Sequence, residues 1–288
     1  MSHRQDDLGK TAVTPVPPRS PGPSVEVHRT LDEPQLRIAL QGAGQTVVLS
    51  HALGLDLTMW DALAEQLAPT HRVVRHDHRG HGGSAAPPGP YTMDMLVDDA
   101  ARLVRRWGHG PVIWIGLSMG AMVGQGLAIR HPELVKALVL ANTTARYPEA
   151  ARAGWAQRIA AVEAGGMAGV ADAVVERYLS AEFRAAHPQA ARALRDLVLR
   201  NDPHGYVANC HAVQAVDWLD RLDRIRAPTL VIAGARDVGA TPLMAQEIAQ
   251  RIEGAQFVLL ETSHLSVAEM PGNFAEAVLA FIERTHTH

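Results

Sequence analysis

Ser118 stands in Gly116-Leu-Ser-Met-Gly120, a G-x-S-x-G pattern whose flanks fix its context. Pro111-Val-Ile-Trp-Ile115 before it reads as a strand, and Ala121-Met-Val-Gly-Gln-Gly-Leu-Ala-Ile-Arg-His131 after it reads as a helix. That places the serine on a sharp strand-to-helix turn, with its hydroxyl lifted above a sheet edge. Side chains at 116 and 120 would collide with neighbouring backbone in so tight a turn, hence the two glycines. A serine hydroxyl attacks only if a base removes its proton. Two later segments can supply the base and its orienting acid in the order serine, acid, histidine. Thr229-Leu-Val-Ile-Ala-Gly-Ala-Arg-Asp237 is an apolar strand ending in an aspartate, and Gln256-Phe-Val-Leu-Leu-Glu-Thr-Ser-His264 is another ending in a histidine. Ser118 is therefore the candidate nucleophile, His264 the base and Asp237 the acid, with Glu261 and Asp223 as nearby alternatives for the acid. Acyl transfer also needs donors for an oxyanion. The N–H of Met119, next to the nucleophile, is one. The second is assigned to the N–H of Leu53, in the loop His51-Ala-Leu-Gly54, where the His51 side chain reads as a loop-ordering group.

Other reactive residues are less informative. Three histidines and an aspartate crowd into His76-Asp-His-Arg-Gly-His-Gly82, but on one loop with no matching ligand cluster elsewhere, so the segment reads as a hydrogen-bonded brace and no metal is expected. The single cysteine, Cys210, cannot form an intrachain disulfide and reads as a small buried apolar residue, which points to a reducing compartment. A net charge of −3 provides no basic field for nucleic acid or anionic lipid.

Stepping outward along the chain, the elements needed to hold these residues are legible. Strands are expected at 24–30, 35–40, 46–50, 72–76, 112–116, 137–141, 229–233 and 256–260, the first two joined by a hairpin at Leu31-Asp-Glu-Pro34. The later runs are rich in Val, Leu and Ile with little alternation, as in parallel strands covered on both faces. Helical patterns span 58–67, 93–107, 241–252 and 274–284. The expected fold is α/β, a mostly parallel eight-stranded sheet flanked by helices. Residues 143–222 carry only alanine-rich helical segments broken by Gly165-Gly166, His187-Pro188 and Asp202-Pro203, and read as a helical cap inserted between a first core part, 25–142, and a second, 223–288. On that cap Trp155 and Tyr178 are either core or pocket lining. Arg152, Arg158 and Arg177 read as solvated helix-face charges, with a role as donors to a substrate carboxylate as the alternative. Residues 1–24 are rich in Pro, Ser and Thr without an apolar signal core and read as an unstructured tail, so cytoplasmic residence is the expectation. A homo-oligomer is possible.

With these residues in place the chain resembles the α/β-hydrolase superfamily and, within it, the 3-oxoadipate enol-lactonases of aromatic catabolism in the β-ketoadipate pathway. The resemblance covers about residues 45–283. It rests on Gly116–Gly120 with Met122-Val-Gly-Gln125, Leu138-Val-Leu-Ala-Asn-Thr143, Arg75-His-Asp-His-Arg-Gly-His-Gly82 and Pro87-Pro-Gly-Pro-Tyr91. Narrower matches lie in the cap, at Ala171-Asp-Ala-Val-Val-Glu-Arg177, Phe183-Arg-Ala-Ala-His-Pro188 and Gly205-Tyr-Val-Ala-Asn-Cys210. It departs from the family pattern at Ala121, at Tyr178-Leu179 and at Val267. The resemblance implies hydrolysis of a small enol-lactone bearing an acid arm, without metal or organic cofactor, through Ser118, Asp237 and His264. Competing expectations are a carboxylesterase or carbon–carbon bond hydrolase with another small substrate, and a non-enzymatic ligand receptor on the same fold. Dehalogenase and epoxide-hydrolase chemistry would call for an aspartate where Ser118 stands.

Overall fold

The computed structural model describes residues 24–285, so nearly all of the expected tail, 1–23, lies outside the described residues. Eight strands form one sheet: β1 (Glu26–Arg29), β2 (Arg37–Gln41), β3 (Gln45–Ser50), β4 (His71–His76), β5 (Val112–Leu117), β6 (Val135–Ala141), β7 (Thr229–Gly234) and β8 (Gln256–Leu260). Their spatial order is β1-β2-β4-β3-β5-β6-β7-β8. The first two pairings, β1 with β2 and β2 with β4, are antiparallel, and all the others are parallel. The hairpin at 31–34 thus joins β1 to β2, as its turn residues imply. Strands β5 and β7 are buried along their whole length, which is why they read as unbroken apolar runs rather than alternating ones.

Helices α1 (Asp61–Leu67), α2 (Met93–Trp107) and α3 (Met119–Arg130) connect β3 through β6 in turn. Between β6 and β7 the chain makes α4 (Glu149–Gly165), α5 (Ala171–Tyr178), α6 (Ala181–Ala186), α7 (Pro188–Leu199) and α8 (Pro203–Gln214), with no intervening strand. Then come α9 (Pro242–Arg251), α10 (Ser266–Glu269) and α11 (Pro271–Thr285). Two expected helices have different bounds. The helix expected over 58–67 is split, because Asp56 caps a 3₁₀ turn at Leu57–Trp60 and α1 starts only at Asp61. At 241–252, Thr241 is instead the N-cap, accepting from the Met244 N–H, and Pro242 opens α9. No helix among the described residues is long and apolar enough to cross a membrane.

Candidate active site

The turn after β5 departs from ordinary backbone geometry. Ser118 sits at φ 55°, ψ −114°, a conformation that costs a non-glycine residue of order 1–3 kcal/mol and persists only when the surroundings impose it. The surroundings are specific. A Cβ on Gly116 would fall 2.3 Å from the Gly120 carbonyl, and one on Gly120 would fall 2.1 Å from the Ser50 carbonyl oxygen of β3. The Trp114 indole donates to the Gly120 carbonyl at 3.0 Å, the Thr143 hydroxyl donates to the Ser118 carbonyl at 3.0 Å, and the Ser118 N–H donates to Ala141 at 2.9 Å. Met119 is the first residue of α3, so its N–H has no acceptor within the helix and lies at the positive end of the dipole.

Asp237 and His264 are brought together from their separate strands. The His264 Nδ1 lies 2.7 Å from the Asp237 Oδ2, with both residues buried. The other carboxylate oxygen, Oδ1, accepts the N–H groups of Gly239 at 2.8 Å and Ala240 at 2.9 Å. Burial opposes ionisation of Asp237, but His264 and these two amides outweigh it and hold the carboxyl below its ordinary range. The charged acceptor then requires the His264 proton on Nδ1, which leaves Nε2 free to take a proton. Neither alternative acid reaches His264: Asp223 is exposed in a 3₁₀ turn, and Glu261 is exposed near Arg236 at 3.9 Å.

Two further residues hold this arrangement: Asn142, inside the Leu138-Val-Leu-Ala-Asn-Thr143 run but given no role from sequence, and Glu269. Asn142, at φ 45° just after β6, donates to Asp237 Oδ2 at 3.3 Å and to the Ser263 carbonyl at 3.1 Å, and accepts from the Ser266 hydroxyl at 2.5 Å. Asparagine tolerates this left-handed conformation better than most residues. Glu269 accepts the N–H of Ser263 at 3.2 Å and that of Ser180 at 2.6 Å, tying the histidine loop to the start of α6.

The loop that offers Leu53 is oriented by histidines. The His78 N–H donates to His51 Nε2 at 2.9 Å, which leaves the proton on Nδ1, 2.8 Å from the Ala52 carbonyl. The same carbonyl also accepts the Leu55 N–H at 3.2 Å. In a trans peptide the N–H points opposite to the C=O. Pinning the Ala52 carbonyl on one side therefore fixes the direction of the Leu53 N–H on the other. The next peptide is pinned too: Gly54 N–H donates to His81 Nε2 at 2.9 Å, and the Leu53 carbonyl accepts the Tyr178 hydroxyl at 2.8 Å. His51, His76, His78 and His81 pack edge to face, with the His51–His78 and His76–His78 ring centres 4.6 Å apart. Asp77 accepts the N–H groups of Leu57 and Gly83, both at 2.8 Å. The histidine-rich segment is thus the hydrogen-bonded brace its loop position suggested.

Burial lowers the pKa of all four histidines, that of His76 and of His81 to about 3 from an ordinary 6.5. Because the unfolded chain binds protons below about pH 6.5 that the folded one refuses, their contribution to stability is complete above that pH and is lost as pH falls toward about 3. The melting temperature should therefore decline steadily below about pH 6.5, and the decline should be shallower in His76→Phe, which takes up one proton fewer on unfolding. Calorimetry from about two pH units above 6.5 to about two below it is the check; a flat profile would refute it.

Ser118, His264, Leu53 and Tyr178 line one cavity of about 250 Å³, small enough to select a small molecule. A larger cleft, about 540 Å³, opens between Gly89-Pro90 and α8 but touches none of these residues, so volume alone is a poor guide here. Tyr178 turns out to be both core and lining. It is buried, its ring lies 4.8 Å from that of His264, and its carbonyl accepts the Leu265 N–H at 3.0 Å. Trp155 lines the same cavity and packs at 5.6 Å on Tyr147. The arginines separate. Arg152 is an exposed helix-face charge paired with Glu149 at 3.2 Å. Arg158 is not a solvated helix-face charge: it lies among cavity-lining aromatic rings. Arg177 is exposed but borders the cavity rim beside Gly239.

A family model described as alpha/beta hydrolase fold matches residues 45–271. The chain is 33% identical to 3-oxoadipate enol-lactonase 2 of Acinetobacter baylyi over 83% of its own length and 88% of the relative's. Among solved structures it resembles the enol-lactonase from Burkholderia xenovorans LB400, with TM-score 0.86 and 35% identity, covering 89% of this chain and 100% of that one. It also resembles an esterase from Thermogutta terrifontis solved with malate bound, with TM-score 0.83 and 29% identity over 91% of this chain and 99% of that one.

Proposed function

Because the chain belongs to the alpha/beta hydrolase fold family, we propose that it is a serine hydrolase of a small carboxylate-bearing lactone or ester, best represented by 3-oxoadipate enol-lactone. The observation that carries this reading is the alignment of His264 on Asp237 at 2.7 Å, in a cavity that Ser118 shares. In the proposed reaction the Ser118 hydroxyl attacks the lactone carbonyl as His264 Nε2 takes its proton. The N–H groups of Leu53 and Met119 receive the oxyanion, and Asp237 stabilises the imidazolium. Collapse of the tetrahedral intermediate breaks the ring C–O bond, and His264 delivers its proton to the departing enolate oxygen. The ring-opened acyl group stays on Ser118 until His264 activates a water to release it.

The lactone preference is supported by the enol-lactonases among the relatives and, for a carboxylate arm, by the malate held in the related esterase. Its test is the ratio of kcat/KM for 3-oxoadipate enol-lactone to that for a neutral lactone of similar size. A strong preference for the acid is expected, since donors built for a carboxylate are left unpaired by an analogue lacking it. Equal values, or preference for the neutral lactone, would leave a general esterase; no turnover of any ester or lactone would leave a ligand receptor.

A further inference from the structure

We propose that Arg158, on the inner face of α4, is the residue that binds the free carboxylate of the substrate; this rests on the acidic-ester reading above. Arg158 lines the cavity and is half-buried, whereas Arg177 borders it exposed at the rim and Arg152 lies outside it. Its Nε donates to the Tyr206 hydroxyl at 2.6 Å, and its guanidinium lies 5.1 Å from the centre of the Trp155 ring and 5.3 Å from that of Tyr206. Those contacts orient a planar fork without neutralising it. Burial pushes the hydroxyls of Tyr206 and Tyr178 above the ordinary phenol range despite the Arg158 charge beside them, so both stay protonated. No carboxylate among the described residues lies within ion-pairing distance of Arg158, and its Nη2 is buried without a hydrogen-bond partner.

Arg158 is half-buried, but its Nη2 is shut from bulk solvent, and a donor so placed is completed by an ordered water or by a ligand that brings an acceptor. The missing partner has definable chemistry. It must carry negative charge to match the guanidinium and be small enough for the cavity that Arg158 and Trp155 line. It must also be joined to the carbonyl that Ser118 attacks, because the same cavity of about 250 Å³ holds both. A carboxylate on a short carbon chain meets all three conditions, and the guanidinium fork is suited to pair with it. Arg158 is also placed to report occupancy to the reacting end. Tyr206 and Tyr178 both face it, and Tyr178 bonds the Leu53 carbonyl and packs on His264.

The test compares two chromogenic substrates of similar size, 4-nitrophenyl hydrogen succinate and 4-nitrophenyl butyrate, in the wild type and in Arg158→Gln, Arg158→Lys and Arg152→Gln. The quantity read is the ratio of kcat/KM for the acid to that for the neutral ester. Because both are measured on one preparation, partial misfolding cancels. The wild type should prefer the acid, and Arg158→Gln should cut the ratio by about 10²-fold, the loss expected for a charged hydrogen-bonded pair. Arg158→Lys, which keeps charge but loses the fork, should fall between, and Arg152→Gln should match the wild type. Succinate should also inhibit the wild type competitively and far better than succinamide, a readout that needs no variant. A wild-type preference that survives Arg158→Gln would overturn the assignment and leave the acidic-ester reading standing, with Arg177 at the rim as the remaining cation. No wild-type preference, with succinate and succinamide alike, would overturn both.

Discussion

Ser118→Ala is expected to reduce kcat on the order of 10⁴-fold or more while leaving the circular dichroism spectrum unchanged. The magnitude follows from the unit nature of nucleophile, base and acid: once the nucleophile is gone, His264 has no proton to accept and Asp237 no imidazolium to stabilise. What remains is substrate binding and the pair of amide donors. The fold should survive because the side chain itself holds little. The turn is held through main-chain groups, the Ser118 N–H on Ala141 and its carbonyl on the Thr143 hydroxyl, which alanine retains. A burst of product in the wild type, stoichiometric with enzyme and absent from the variant, would identify the acyl intermediate. A folded variant with near-normal turnover would remove Ser118 as nucleophile.

Asp237→Asn should lower kcat by about 10⁴-fold with only a modest change in KM. The direction is fixed by how the carboxylate is held. Oδ1 takes the amides of Gly239 and Ala240, so an asparagine would keep its carbonyl there and turn its NH₂ toward His264 Nδ1. Nδ1 would then have to be the acceptor, the ring proton would move to Nε2, and the base could no longer accept from Ser118. The Asn142 amide, already donating to Oδ2, would also meet a second donor. Glu261→Gln and Asp223→Asn alter exposed groups with no contact to His264 and should each change kcat by less than about threefold, the scale of surface substitutions. If Glu261→Gln proved the costlier, the acid would be misassigned.

The central strands of the sheet were legible because they are buried along nearly their whole length and read as unbroken apolar runs. The helix at Met93–Trp107 was bounded correctly from its amphipathic pattern, and the strand at Gln256–Leu260 from its apolar run and flanking loops. Boundaries slipped where a cap competed with propensity, as at Asp56, whose side chain takes the Thr58 N–H and sets a 3₁₀ turn ahead of α1. At the candidate site, Ser118, Asp237 and His264 were legible as candidates because each closely follows a recognisable strand. Asn142 could not, since its effect comes from partners 95 and 121 residues away, at Asp237 and Ser263. The three arginines were indistinguishable for a different reason. Arg152 and Arg158 share α4, which carries too little amphipathic contrast to say which of its sides turns inward; only the packing of Trp155 and Tyr206 around Arg158 does that.

The geometry at Ser118 also shapes how this chain can change over generations. Glycine adopts a positive φ without penalty, so Ser118→Gly would relieve a conformation costing of order 1–3 kcal/mol and yield a sturdier protein with no nucleophile. A lineage selected only for thermal endurance would thus be drawn downhill, by one substitution, toward a durable and inert fold. On the proposed mechanism, serine at this turn gives up that stability for a nucleophile, and heat tolerance in this scaffold is better sought anywhere but here.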